Sequence, residues 1–137
     1  MTNPEITAHL AEIQTMEATA FRVGQVGRQL LEKHPALASA RLTASTYGDS
    51  GSLQLDDPTS GAVEMDKWAA LLGIELSRRL KPRTTEEYPQ WVGSAHYSGQ
   101  VKVDGVDVGL RGVRLLTQEQ WDAAQAAETA PAGGDAA

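Results

Sequence analysis

The chain contains no cysteine, which removes disulfide frameworks, thiolate metal sites and the disulfide-rich secreted scaffolds. Aromatic residues make up 5% of it, three Trp, three Tyr and one Phe, so most of any core must be aliphatic. No window approaches the roughly 18 consecutive apolar residues that a membrane span needs. The opening "MTNPEITAHLAEIQ" has no basic segment ahead of an apolar run, so no secretory signal is expected. Cytoplasmic location without membrane contact is the expectation. An excess of positive charge is missing as well: the net charge is −6. Residues 117–137 hold Glu119, Asp122, Glu128 and Asp135 with no Lys or Arg, leaving 12 basic against 14 acidic residues in 1–116. A dedicated nucleic-acid binder usually carries a basic footprint.

What is present is a 137-residue chain, 41% apolar and 22% charged, the balance of one globular domain with one core. From Glu5 the pattern is helical, with Ile6, Leu10, Ile13, Met16, Ala20, Val23, Leu30 and Leu31 mostly three or four apart. His34-Pro35 ends it, because a residue before proline avoids the α region. Within it, Gly24 and Gly27 each cost about 1 kcal/mol against alanine and share a face. They predict close approach of another backbone there, or a break into two helices near Gly24.

"ARLTASTYGDSGSLQLDD" alternates on either side of Gly48-Asp49-Ser50-Gly51, which is a β-hairpin pattern. Asp57-Pro58 looks like an N-cap and first helical position. "GAVEMDKWAALLGIELSRRL" then reads as one helix ending before Pro82, with Met65, Trp68, Ala69, Leu72, Leu76 and Leu80 as its stripe. "YPQWVGSAHYSGQVKVDGVDVGLRGVRLL" reads as a meander with turns at Ser98-Gly99 and Asp104-Gly105. The second turn would set Val101, Val103, Val106 and Val108 on one face; a bulge at Gly105 is the alternative. Thr117 and Gln120 fit a capping box opening a short helix. The expected fold is α+β, in the order α-ββ-α-ββ(β)-α. An antiparallel four- to five-stranded sheet carries both long helices on one face. Residues 1–127 form the single domain, and 128–137 a mobile, disordered acidic Ala/Gly tail.

Several motifs invite chemistry. "GDSG" spells the surroundings of a protease nucleophile, but no acid except Asp49 separates His34 from Ser50, so the triad logic fails. A turn explains the letters. Glu5, His9 and Glu12 share a helix face without further ligands in prospect. Asp56, Asp57, Glu64 and Asp66 flank the second helix start, where the dipole favours acids. No phosphate-binding glycine loop opens a helix after a strand. No catalytic residue, cofactor or metal is assigned.

Two sets of binding candidates remain. Arg78, Arg79, Lys81 and Arg83 form the one dense basic run, placed at a helix end, where phosphate contact would be salt-sensitive and unspecific. Trp91, Tyr97 and Tyr88 are expected around one strand, with Trp91 and Tyr97 on a face opposite the valines. They are the protein-interface candidates, since exposed Trp and Tyr anchor interfaces. Cover by Trp121 and the last helix, or an inverted face that buries Trp91, are the alternatives.

The segments "TASTYGDSGSLQLDD", "DKWAALLGIELSRRL" and "EEYPQWVG" resemble stretches of small uncharacterised proteins of streptomycete-type actinobacteria and their phages. The resemblance spans about Leu30 to Tyr97 and implies a source and a rough architecture, but no functional residue. The eight Arg against four Lys suggest a GC-rich genome. The expected function is a non-catalytic module that binds a protein partner or itself, through an exposed sheet face or the long first helix. A nucleic-acid-associated factor using the basic run, and an enzyme with an unrecognised site, are the alternatives.

Overall fold

A computed structural model describes residues 3–84 and 88–129 of the chain. Helix α1 runs unbroken from Pro4 to Lys33. The Asn3 side chain accepts from the amides of Glu5 at 2.8 Å and Ile6 at 3.4 Å, satisfying donors that the first turn leaves unpaired. A short 3-10 helix, Pro35–Ser39, leads into hairpin β1 (Arg41–Tyr47) and β2 (Ser50–Asp56). Gly48 takes the left-handed conformation (φ 59°) that this turn needs.

The second helix departs from expectation. Helix α2 spans Met65–Leu72, eight residues, and stops at Gly73 in the left-handed conformation. The Ile74 amide donates to the Ala69 carbonyl at 2.9 Å, closing the helix end. The chain then forms strand β3, Ser77–Pro82. Asp57 is no helix cap. Its carboxylate organises the turn after β2, accepting from the Thr59 amide at 2.8 Å, the Thr59 hydroxyl at 2.6 Å and the Glu64 amide at 3.0 Å.

Strands β4 (Gly93–Val103) and β5 (Val106–Leu116) form one long hairpin. Asp104 and Gly105 both have positive φ, 49° and 79°, and Val103 pairs with Val106 and Val101 with Val108. Ser98-Gly99 is not a turn but mid-strand. A Cβ on Gly99 would meet Ile74 Cγ2 at 2.5 Å and the Glu75 carbonyl oxygen at 2.6 Å, so glycine admits the α2–β3 connection. Helix α3, Gln118–Thr129, opens with both capping-box bonds between Thr117 and Gln120. Of the predicted tail, 128–137, Glu128 and Thr129 belong to helix α3, and 130–137 lie outside the described residues.

The sheet order is β1-β2-β5-β4-β3. It is mixed, not antiparallel, because β2 and β5 run parallel, the chain returning to β2 only after α2, β3 and β4. The expected two long helices on an antiparallel sheet become one long helix and two short ones on a mixed sheet.

Register assigns the faces. Leu53, Leu55, Val106, Val108, Leu110, Gly112, Ala95, Tyr97, Val101 and Val103 share one face. All three helices lie on it: Val23 of α1 against Gly51, Met65 of α2 against Gly112, and Trp121 of α3 against Gly93. Trp68 is completely buried there and its indole donates to the Ala36 carbonyl at 3.1 Å. The opposite face carries Ser52, Gln54, Ser94, His96, Ser98 and Gln100, with no helix on it among the described residues.

Candidate functional site

The predicted anchors separate. Because β4 runs straight through Ser98-Gly99, Tyr97 falls in phase with Val101 and Val103 and packs against the core. It lines a hollow with Arg78, Ala95, Gln120 and Ala124 beneath α3. Trp91 precedes β4, in a turn where its amide donates to the Tyr88 carbonyl at 3.0 Å. Trp91 is half-buried and Tyr88 exposed.

The basic run is not at a helix end. It is edge strand β3, so its side chains alternate. Arg78 turns towards α3, donating to the Ala124 carbonyl at 3.4 Å and lying 4.0 Å from the Glu128 carboxylate. Arg83 donates to the Pro89 and Trp91 carbonyls at 3.3 and 3.4 Å and so ties the end of β3 to the residues before β4. Arg79 and Lys81 lie on the open sheet face, paired with His96 and Ser94. The structure thus brings Lys81, Arg83, Tyr88 and Trp91 to one groove and leaves Arg78 and Tyr97 in another.

On the open face His96 Nε2 lies 2.9 Å from the Ser94 hydroxyl. Burial, then the charges of Lys81 and Arg79, hold its imidazole below the ordinary 6.5. Burial works to raise the Asp57 carboxyl. The hydrogen bonds from the Thr59 side chain and the Thr59 and Glu64 amides outweigh it and hold the group below 3.8. Among the described residues no three His, Asp or Glu side chains are placed to hold a metal ion, and no helix is long and apolar enough to cross a membrane.

Half of the large apolar side chains exposed among the described residues lie on α1. Thr19 is the first buried residue of the helix, followed by Val23, Val26 and Leu30. Thr19 touches the β1–β2 turn through a 3.0 Å bond from its hydroxyl to the Gly48 carbonyl. Val23 meets Gly51 and Gly27 meets Leu53, so α1 runs along β2 in the same direction. Residues 4–18 therefore project past the turn as an arm about 22 Å long.

Along this arm Ile6, Leu10, Ile13 and Met16 are 55, 54, 46 and 45% exposed. At 3.6 residues per turn, Ile6, Leu10, Ile13, Ala20, Gly24 and Leu31 fall in one stripe about a third of a turn from the buried face. On the anchored half the stripe becomes one wall of an open groove of about 550 Å³. Ala20, Gly24, Gly27 and Leu31 form that wall, and Leu42, Ala44 and Thr46 of edge strand β1 face it. A Cβ on Gly24 would meet nothing within 4 Å. The close approach predicted at Gly24 is therefore not made among the described residues. Sequence periodicity had found these residues as a helical pattern, and the long first helix as one of two binding surfaces, without placing them against any element. The exposed edge strand beside them was the missing signal, and sheet order could not be read from the pattern.

Compared with protein-family models, curated proteins and solved structures, the chain matches none.

Proposed function

We propose that this chain is a non-catalytic protein-binding module whose contact surface is the α1 arm and the groove that continues it. The observation that carries this reading is the half-exposed row Ile6, Leu10, Ile13 and Met16 on a helix that projects beyond its own sheet. Contiguous apolar surface of that kind marks interaction sites in water-soluble folds. Every residue of the arm is exposed among the described residues, and helices of about 15 residues are marginal in water without packing. A bound partner supplies what the fold does not.

The test is the double variant Leu10→Asp/Ile13→Asp. Its cooperative thermal transition should be retained, with any loss of far-ultraviolet helical signal confined to fraying of residues 4–18, while self-association in sedimentation and arm-dependent co-purification of other polypeptides are both lost. If the variant matches wild type in both binding assays, the reading fails.

A second reading, contact with nucleic-acid phosphates, draws on the open sheet face. Register places Arg41, Arg79, Lys81, Lys102 and Arg111 there against Asp56 and Asp107. Both acids are engaged by cations, Asp56 with Arg111 at 3.3 Å and Asp107 with Lys102 at 3.7 Å. Lys81 and Arg83 also border the groove of Tyr88 and Trp91, and rings beside cations suit unpaired bases. Oligonucleotide anisotropy at about 50 and 200 mM salt tests it. Binding that collapses at the higher salt and in Arg79→Ala/Lys81→Ala supports this reading. Absence of binding at either salt discards it.

A further inference from the structure

We infer that the occupant of the groove is the arm of a second copy of this chain, the two α1 helices pairing antiparallel about a two-fold axis. The inference rests on α1 being the contact surface and adds the identity and direction of the partner.

A two-fold contact uses the same patch twice, so the patch must be complementary to itself. The α1 stripe has that property in size. Its first half carries Ile6, Leu10 and Ile13, and its second half carries Ala20, Gly24 and Leu31, with Gly27 beside them. Antiparallel pairing sets Leu10 and Ile13 of each copy against glycines of the other, and Ile6 against Leu31 at the outer end. Parallel pairing would set large on large and leave both grooves open.

Charge gives the same direction. Residues 4–17 hold Glu5, Glu12 and Glu17 with no Lys or Arg, whereas residues 18–33 hold Arg22, Arg28 and Lys33 against Glu32. Antiparallel helices bring the acidic half of each over the basic half of the other, and parallel ones repel at both ends.

Length agrees as well. Helix α1 has 30 residues, and its midpoint falls between Ala18 and Thr19, where the projecting arm ends and the buried face begins. An axis at that midpoint lays each arm along the full length of the partner's groove. Ile13 then lies over the partner's Gly24 and Leu10 over the partner's Gly27. The same placement brings the arm beside edge strand β1, exposed along its whole length, a row of unpaired strand that proteins commonly cover.

The absence of cysteine permits a direct test with single-cysteine variants of the full chain, Ile13→Cys and Gly24→Cys, expressed separately and together. A short bismaleimide is the probe. In the antiparallel pair, like positions are 11 residues apart along the axis, about 16 Å, beyond the linker. The expected result is covalent dimer from the co-expressed variants and essentially none from either alone. Covalent dimer from each variant alone would show parallel helices and overturn the inference. Sedimentation of the wild type gives the companion readout, with Leu10→Asp weakening the dimer roughly 10- to 100-fold. A wild type that stays monomeric at about 100 µM overturns the inference. It leaves the contact-surface reading standing if another polypeptide binds in an arm-dependent way. A dimer that Leu10→Asp/Ile13→Asp does not weaken overturns both.

Discussion

The two halves of α1 have nearly the same length and the same apolar periodicity, yet they do different work. The half from Thr19 onward turns Val23, Val26 and Leu30 into the core. The half before it holds Ile6, Leu10 and Ile13 in water, on a different side of the same helix. Apolar spacing alone says that a face will be buried, not by what. Burial of the second half is settled by β2 beneath it. For the first half the described residues supply no such cover.

That contrast is broken most severely by placing the same charge in each half. Val26→Asp puts an unpaired carboxylate in a site 1% exposed, a loss of several kcal/mol that should leave no cooperative thermal transition at neutral pH. Ile13→Asp should shift monomer stability by no more than about 0.5 kcal/mol, with its effect confined to association. If Ile13→Asp also unfolds the chain, the arm is part of the core and the distinction is lost.

Glycines sharpen the contrast further, because they should respond with opposite signs. A Cβ on Gly51 would lie 2.5 Å from Val23 Cγ2, so Gly51→Ala should destabilise by about 1–3 kcal/mol in denaturant unfolding. Gly24→Ala adds a methyl group to open space in a helix interior. It should stabilise the monomer by up to about 1 kcal/mol and at the same time weaken self-association. A Gly24→Ala variant that associates as tightly as wild type would remove Gly24 from the contact.

The smallest effect belongs to the open face, where no association through α1 is involved. The folded state holds His96 below its ordinary 6.5, so the unfolded chain binds more protons near and below that pH. The resulting stability is fully present above 6.5 and declines as pH falls through it towards the folded value. His96→Gln should flatten this modest slope between about pH 5 and 7 in thermal unfolding. An unchanged slope would assign the pH dependence elsewhere. Asp57 acts lower: its depressed value gives stability present above 3.8 and lost in stronger acid.

Much of the fold was legible because local chemistry agreed with the final structure. His34-Pro35, Gly48, Asp104-Gly105 and the Thr117–Gln120 capping box each marked a boundary for a steric or hydrogen-bonding reason. The stretch from Leu72 to Leu80 misled because Leu72, Leu76 and Leu80 are four apart, a spacing compatible with both a helical stripe and strand alternation. Gly73 was the decisive residue, since a left-handed cap ends the helix there. Gly99 misled in the other direction: its glycine serves close packing rather than a turn, which only the tertiary neighbour Glu75 shows. The candidate anchors followed from these errors, because losing the Ser98-Gly99 turn puts Tyr97 with the valines. The parallel pairing of β2 and β5 had no local signature at all.

The most direct measurement of the central claim is hydrogen exchange across α1 in wild type and in Ile13→Asp. Amides 5–18 should be protected in the wild type and exchange quickly in the variant, while Leu53 to Leu55 in β2 should be equally protected in both. Fast exchange of residues 5–18 in the wild type, or equal protection of that segment in the two proteins, would contradict that claim.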